Sequence, residues 1–143
     1  MELICSHRAR MFAEAGRPED ELRVMAEFFR EWLRPRLEDG RYFGFLVEES
    51  GAVVAGIGLM LIDWPPHFLH PTSSQRGYVL NVFVEKEHRG RAIATELMFL
   101  AEQEFARRGV SYLVLHASEQ GRPVYEKLGW RNTTEMCKKL AEA

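Results

Sequence analysis

One stretch of this sequence joins a strand pattern directly to a helix pattern: Val79-Leu80-Asn81-Val82-Phe83-Val84-Glu85-Lys86-Glu87-His88-Arg89-Gly90-Arg91-Ala92-Ile93-Ala94-Thr95. Its first six residues form an apolar run, interrupted only by Asn81, and this run predicts a short buried strand. A charged segment and a glycine follow, and apolar residues then recur at helical spacing over residues 92–108. The stretch therefore predicts a strand, a turn and a helix, around which the rest of the chain is arranged.

The predicted turn has the chemistry of an anion site. A helix start presents several N–H groups without intrahelical partners, and the macrodipole adds about half a positive charge there. Phosphate suits such a site. Gly90, Ala92 and Ala94 are small, while Arg89 and Arg91 bring positive charge. The same features also fit an ordinary βα turn with basic residues on a solvated face, and the spacing alone does not choose between the two.

Two blocks of the sequence resemble the GCN5-related N-acetyltransferase family. The first, residues 89–94, is similar to the family's acyl-CoA pyrophosphate loop, which has Gln or Arg, two residues, Gly, one residue, then Gly or Ala. Ala92 stands where the family usually has glycine. The second block comprises residues 115–118 and 121–130, and its Tyr125-Glu126-Lys127-Leu128-Gly129-Trp130 is similar to the family's Tyr-Glu-Lys-Leu-Gly-Phe. The resemblance covers roughly residues 40–140.

This resemblance implies an α/β (α+β) fold with a central mixed, mostly antiparallel sheet of about six strands and about four flanking helices. One parallel βαβ crossover is expected at the acyl-CoA site. The implied function is acetyl transfer from acetyl-CoA to a primary amine of a small molecule or peptide. The alternative is a non-catalytic acyl-CoA-binding or partner-binding domain of the same fold. The residues expected to bind the cofactor are Val82, Phe83, Val84, Arg89, Gly90, Arg91, Ala92, Ile93, Ala94, Thr95, Ser118 and Tyr125.

The resemblance also suggests catalytic residues. Tyr125 matches the family's usual proton donor to the sulfur, and a phenol with a pKa of about 10 remains protonated until thiolate charge develops. Some members have a glutamate base on the strand where this chain has Asn81, and an amide cannot accept a proton at neutral pH. Glu85 and His116 are therefore the candidate bases. Amine deprotonation through water is an equal alternative.

Composition predicts one globular domain spanning residues 1–143. The chain has 143 residues, of which 46% are hydrophobic and 28% charged, and its net charge of −2 argues against nucleic acid as the main partner. Cys5 and Cys137 lack metal-ligand spacing and are expected to be reduced thiols, and no metal site is expected. The first residues lack the order of a signal peptide, and no apolar run has membrane length, which predicts a cytoplasmic protein without membrane contact.

The elements before the central stretch are two helices and a hairpin. The first helix is expected at residues 2–15. The second begins at Pro18 and is expected to end or kink near Arg34 because of Pro35, with a last turn that contains Leu37 before Asp39-Gly40 as the alternative. Strands at 42–48 and 52–62 flank a turn at 49–51. Gly56 and Gly58 share one face of the second strand, which favours either close helix packing or substrate access.

Two further features concern the sheet edge and the acceptor. The chain starts almost directly in a helix, so the family's first strand is absent, and the sheet edge is either open or covered by another segment, such as one from a homodimer partner. Residues 63–77 form a loop rich in proline and aromatic residues, which we assign to acceptor binding, with a hydrophobic plug or dimer contact as alternatives. His67 and His70 lack a third metal ligand nearby.

The chain after the central stretch is expected to complete the sheet. A buried strand is expected at residues 110–116, a short helix at 119–128 and a last, more polar strand at 130–140. The alternation within the last strand is too weak to indicate which of its faces is buried.

Overall fold

The computed structural model describes residues 1–142. These residues form four α-helices and four strands, which in chain order are α1 (Glu2–Glu14), α2 (Glu19–Glu38), β1 (Tyr42–Glu49), β2 (Ala52–Asp63), β3 (Gln75–Val84), α3 (Ile93–Arg107), β4 (Leu113–Leu115) and α4 (Arg122–Lys127), with a 3₁₀ turn at Lys86–His88. The strands follow one another across the sheet as β1-β2-β3-β4. The first two pairs are antiparallel and β3 pairs with β4 in parallel. The expected mixed, mostly antiparallel α+β fold is confirmed.

Helices cover both faces of this sheet. On one face, α3 contributes its apolar stripe, including Leu97, Ala101 and Phe105, to the main core, against which Phe43 packs. A second cluster, with Phe29 and Leu33 of α2, packs against Tyr42. Because neighbouring strand residues point to opposite faces, Tyr42 and Phe43 place the two clusters on opposite sides of β1. The sheet is thus enclosed between α3 and the α1/α2 pair.

A bulge interrupts β3 at Asn81. Gly56 pairs with Phe83 but Gly58 pairs with Leu80, so Asn81 and Val82 together oppose a single residue of β2. Asn81 takes a left-handed backbone conformation with φ of 54°, which its short polar side chain tolerates. Because the bulge adds one residue to β3, the alternation of side chains between the two faces of the sheet is shifted by one residue beyond it.

The two glycines of β2 serve packing within the chain. A Cβ on Gly56 would lie 2.9 Å from the Leu46 side chain and 3.3 Å from His7 Nδ1 of α1, and a Cβ on Gly58 would overlap the Tyr42 phenol ring. Of the two interpretations, close packing is therefore the one that the structure supports. The glycine face is filled by side chains of this chain.

Pro35 does not end α2 near Arg34, since the helix continues to Glu38 and includes the last turn with Leu37. Proline removes one N–H donor and crowds the preceding turn, but only about one turn of helix follows it here. Arg36 Nη1 donates to the Trp32 carbonyl over 2.7 Å, and the Asp39 N–H donates to the Pro35 carbonyl over 3.0 Å. These bonds hold the last turn in place.

The chain after α3 is less regular than expected. The strand expected at residues 110–116 is reduced to Leu113–Leu115, and the helix expected at 119–128 to Arg122–Lys127. The strand expected at 130–140 is not formed, so the described residues contain four strands rather than about six. Met136 and Leu140 are 92% and 76% exposed, which explains the error: the weak alternation there buries no apolar face that would fix a strand.

One outer edge of the sheet lies at β1. α1 starts at Glu2 without a strand before it, and within residues 1–142 no segment pairs with the outer edge of β1.

No helix in the described part of the chain combines the length and apolar composition that a membrane crossing requires.

Candidate active site

The turn between β3 and α3 presents a row of unpartnered backbone donors. None of the N–H groups of residues 90–95 donates to a described backbone carbonyl, and the Glu96 N–H makes the first helical bond, to the Ala92 carbonyl over 3.1 Å. Gly90 and Ala92 are both left-handed, with φ of 80° and 60°. Left-handed residues in such a turn aim successive N–H groups toward a common point, which forms an anion-binding concavity. The assignment of this turn to a pyrophosphate stays a prediction, which the unpartnered N–H groups favour.

Ala92 holds the conformation for which glycine is best suited. A left-handed conformation costs a residue with a Cβ roughly 1–2 kcal/mol, whereas glycine adopts it freely. Gly90 needs its conformation rather than space, since a Cβ there would meet nothing within 4 Å. The glycine usual in the family at the position of Ala92 thus has a backbone reason.

The two arginines of the turn are engaged with glutamates. Arg89 Nη2 contacts both Glu14 carboxylate oxygens at 2.9 and 2.8 Å, and its Nε donates to the Val84 carbonyl over 2.9 Å. Arg91 binds Glu49 at 3.2 and 2.8 Å. Sequence reasoning treated both as positive charges available to an anion, whereas the structure neutralises each in an ion pair. Neither guanidinium is therefore free of a carboxylate partner, whereas the backbone N–H groups of the turn have no backbone acceptor.

β3 extends beyond its parallel partner. Pairing with β4 ends at Val79 and Leu115, while β3 continues to Val84. The predicted pantetheine residues Val82–Val84 lie on this extension, which has β2 on one edge and no described strand on the other. A free strand edge offers N–H and C=O groups to the amides of an extended ligand.

Tyr125 packs against the same core as the extension of β3. Its ring belongs with Val82 and Val84 among the side chains that cover the main cluster, and it lies 6.4 Å from the Trp130 ring, centroid to centroid. Burial raises the pKa of Tyr125, and the hydroxyl makes no hydrogen bond to another described residue. Ser118 Oγ instead accepts from the Gly121 N–H over 3.0 Å, so its hydroxyl is used to begin α4.

The candidate bases have different surroundings. Glu85 accepts two hydrogen bonds from Arg10, at 2.7 and 2.6 Å, and these bonds lower the pKa of its carboxyl and weaken it as a base. His116 has a 76% exposed side chain, with Nδ1 2.6 Å from the Tyr78 hydroxyl and Nε2 3.6 Å from Glu135. Sequence reasoning missed Tyr78. The available signal was a polar hydroxyl within the strand pattern, on the same face of β3 as Leu80. Burial raises the pKa of Tyr78, and Glu135 raises it further.

A polar cluster fixes the bulge from the α1 side. Arg8 Nη1 donates to Asn81 Oδ1 over 2.8 Å, and Asn81 Nδ2 donates to the Tyr42 hydroxyl over 2.9 Å. Asn81 and Tyr42 are buried. Sequence reasoning also missed Arg8, because an arginine on an amphipathic helix is ordinarily solvated.

A groove of about 810 Å³ lies between the loop before β3, β4 and the chain after α4. Trp64 and Phe68 of the loop line it, and Phe68 is 82% exposed, so that side chain does not plug the sheet. The assignment of this loop to the acceptor stays a prediction.

Both ring nitrogens of His70 are hydrogen-bonded, one to the Ser73 carbonyl and the other to Arg76 Nε. Within residues 1–142 no group of three or more potential metal ligands is found.

The fold and this site together agree with what the resemblance to the N-acetyltransferase class implies: a mixed, mostly antiparallel sheet, a parallel βαβ crossover, a βα turn with unpartnered N–H groups and a partly buried tyrosine in the last helix. The chain belongs to the acetyltransferase (GNAT) family, whose sequence model matches residues 4–130.

Solved structures of this class are similar to the chain. A GCN5-related N-acetyltransferase from Ralstonia eutropha JMP134 is 55% identical, with a TM-score of 0.96, over 99% of this chain and 92% of that chain. A protein from Clostridium acetobutylicum described as a predicted acetyltransferase, in a structure with acetyl-CoA, is 28% identical, with a TM-score of 0.82, over 97% of this chain and 88% of that chain. Glucosamine-6-phosphate N-acetyltransferase from Arabidopsis thaliana shares the fold at 21% identity and a TM-score of 0.62, over 81% and 78%. No curated protein matches the chain.

Proposed function

We propose that this protein transfers the acetyl group of acetyl-CoA to a primary amine of a small molecule or peptide. The observation that carries the proposal is the row of unpartnered N–H groups at residues 90–95, which adjoins the free edge of β3. A diphosphate and an amide-containing arm are the two parts of coenzyme A that such groups suit. The relative from Clostridium acetobutylicum with acetyl-CoA supports the choice of cofactor.

Each group of residues has a role in this proposal. Residues 90–95 bind the pyrophosphate, with Arg89 and Arg91 as flanking charges, and the main chain of Val82–Val84 binds the pantetheine arm. Ser118 lies beside that arm and keeps the start of α4 in place. The thioester supplies the activated acetyl group.

The chemical step then needs one acid and one base. As the amine forms its C–N bond and the C–S bond breaks, the Tyr125 hydroxyl gives its proton to the departing sulfur, and its raised pKa keeps it protonated at neutral pH. His116 or a water molecule takes the proton of the amine. Glu85 is the weaker choice because Arg10 holds it ionised.

The first test is thermal unfolding with and without acetyl-CoA, followed by detection of free thiol with a panel of amines. A ligand at about 100 times its Kd adds roughly 2.7 kcal/mol, which raises Tm visibly. We expect Ala94→Leu, which adds bulk beside the turn, to abolish this shift. Ala106→Leu, on an exposed position of the same helix, is the matched control and should retain it.

Three outcomes separate the alternatives. A shift together with thiol release supports the transferase. A shift without thiol release from any amine supports the non-catalytic acyl-CoA-binding domain. No shift contradicts both. A cytoplasmic location and a homodimer stay predictions from the sequence.

A further inference from the structure

Arg8 lies beneath the bulge of β3 rather than in solvent. Its Nη1 donates to Asn81 Oδ1 over 2.8 Å, and its guanidinium carbon lies 5.0 Å from the ring centroid of Phe12 and 4.7 Å from that of Phe29. The two aromatic contacts and the hydrogen bond hold the planar group in one orientation. Such a fixed guanidinium is suited to recognising a second planar group.

This guanidinium has no counterion within the described part of the chain. Arg10, Arg89 and Arg91 each pair with a glutamate, whereas the one hydrogen bond of Arg8 goes to an amide. Its Nε is buried without a partner, and its Nη2 also donates to no described residue but remains accessible. Burial lowers the pKa of Arg8, and the nearby Tyr42 and Tyr78 hydroxyls oppose this effect. A partly buried charge without an anion is costly, which points to a missing anionic partner.

The position of Arg8 relates that partner to the reaction. Asn81, which Arg8 contacts, directly precedes the Val82–Val84 segment where the thioester is expected. Tyr78 lies three residues before Asn81, and its hydroxyl is 2.6 Å from His116, a candidate base. A molecule whose anion lies on Arg8 would therefore hold its other end near the groups proposed for the reaction.

We propose that Arg8 binds a carboxylate of the acceptor, so that the preferred acceptors are amino-carboxylates rather than simple amines. The inference rests on the acetyl transfer proposed above. A carboxylate suits the site because the accessible Nη2 has no partner and can donate a charge-assisted hydrogen bond to a carboxylate oxygen. The phosphates of coenzyme A have their own donors at residues 90–95.

The experiment compares matched acceptors that differ only in the carboxylate. Coenzyme A release is measured with glycine, alanine, β-alanine and 4-aminobutyrate, and with the carboxamide of each. We expect kcat/KM for at least one acid to exceed that of its carboxamide about tenfold or more, since a charge-assisted pair is among the stronger polar contacts. Arg8→Gln, which keeps a donor for Asn81, should bring this ratio close to one, mainly through KM. Arg17→Gln, in an exposed ion pair, is the control and should keep the ratio.

Two results would overturn the inference while the acetyl transfer stands. One is a parent protein that acetylates carboxamides as well as the acids. The other is an Arg8→Gln variant that loses acid and carboxamide turnover by the same factor, as a purely structural arginine would.

A binding measurement keeps the inference testable if no acceptor is turned over. The same acids and carboxamides are added to the protein saturated with coenzyme A, and Tm is measured. Stabilisation by an acid but not by its carboxamide, lost in Arg8→Gln, supports the carboxylate site. Equal or absent stabilisation by acid and carboxamide contradicts it. Failure of the acetyl transfer itself is recognised separately, by the absence of thiol release from every acceptor.

Discussion

Single residues of this protein carry conformations that their side chains do not favour. Ala92 is left-handed at the entry to α3, and Asn81 is left-handed within a strand. Ala92 is one of the residues expected to bind the cofactor, and Asn81 directly precedes the expected cofactor segment Val82–Val84. Strained residues persist only where the surroundings fix them, and here the buried Ile93 that follows Ala92 anchors the turn to the core.

Replacing Ala92 tests this strain. We expect Ala92→Val to lower the free energy of unfolding by about 1–3 kcal/mol, because a β-branched side chain is poorly compatible with a left-handed conformation. Ala92→Gly should change it by less than about 1 kcal/mol, because relief of strain and greater freedom of the unfolded chain oppose each other. Urea denaturation measures both. Equal stability of the two variants would mean that the turn does not hold residue 92 in this conformation.

Tyr125 is the residue whose role in the reaction is most directly testable. We expect Tyr125→Phe to lower kcat by about 10²–10⁴, because the phenol would no longer protonate the leaving sulfur, and to leave the KM for acetyl-CoA little changed. Tyr112→Phe removes a hydroxyl from a ring that packs on Arg76 and should retain activity. An unchanged kcat in Tyr125→Phe would mean that water, rather than Tyr125, protonates the departing sulfur.

At the scale of elements, the junction of β1, β2 and β3 is held by contacts across three strands. Gly44 of β1 pairs with Gly58 of β2, and the Tyr42 ring covers Gly58 while its hydroxyl accepts from Asn81 of β3. The glycine removes a side chain so that the tyrosine can reach the bulge. Packing on β2 thus supports the geometry of β3.

The variant Gly58→Ala tests this coupling. Its Cβ would lie 2.5 Å from Tyr42 Cζ, and we expect the free energy of unfolding to fall by about 1–3 kcal/mol as in other overpacked sites. The same substitution in a Tyr42→Ala background should cost much less, because the ring that it meets is gone. A double-mutant cycle by urea denaturation gives the difference. Equal costs in both backgrounds would show that Gly58 does not act through Tyr42.

At the scale of the whole molecule, α1 is joined to the sheet by groups that titrate. His7 is only 2% exposed, its ring is stacked on Phe83 with 4.7 Å between centroids, and its Nε2 has no partner in the described chain. Burial lowers the pKa of His7 below its ordinary value near 6.5; Glu85 opposes this effect and Arg10 reinforces it. The folded protein therefore holds His7 neutral where an unfolded chain would bind a proton.

This difference predicts a dependence of stability on pH. The contribution of neutral His7 is fully present above the ordinary pKa near 6.5 and is lost as the pH falls toward the lowered pKa of the folded state. We expect the free energy of unfolding to fall more steeply between about pH 7 and pH 5 in the parent than in His7→Phe, which keeps a ring on Phe83 but does not titrate. Urea denaturation across this range measures the two slopes. Parallel slopes would contradict the assignment.

Local chemistry in the sequence was enough to predict most of the elements. The hairpin, α1 and α3 have strong periodicity and clear turn or cap residues, and the structure places them within a residue or two of the prediction. The two motif blocks also indicated the family that the comparison later showed. These features depend on neighbours in sequence, so the sequence contains the information needed to recognise them.

Tertiary structure alone decided the rest. The pairing of Arg89 with Glu14 and of Glu85 with Arg10 joins residues 75 positions apart, and no local pattern indicates such partners. The same holds for Arg8, which is a solvated residue by its helix pattern and a partly buried one by its contacts with Asn81 and Phe29. The packing of α1 on the sheet therefore decides which partners these charged side chains have. The unpartnered backbone donors of the turn, in contrast, follow from the sequence of the turn itself.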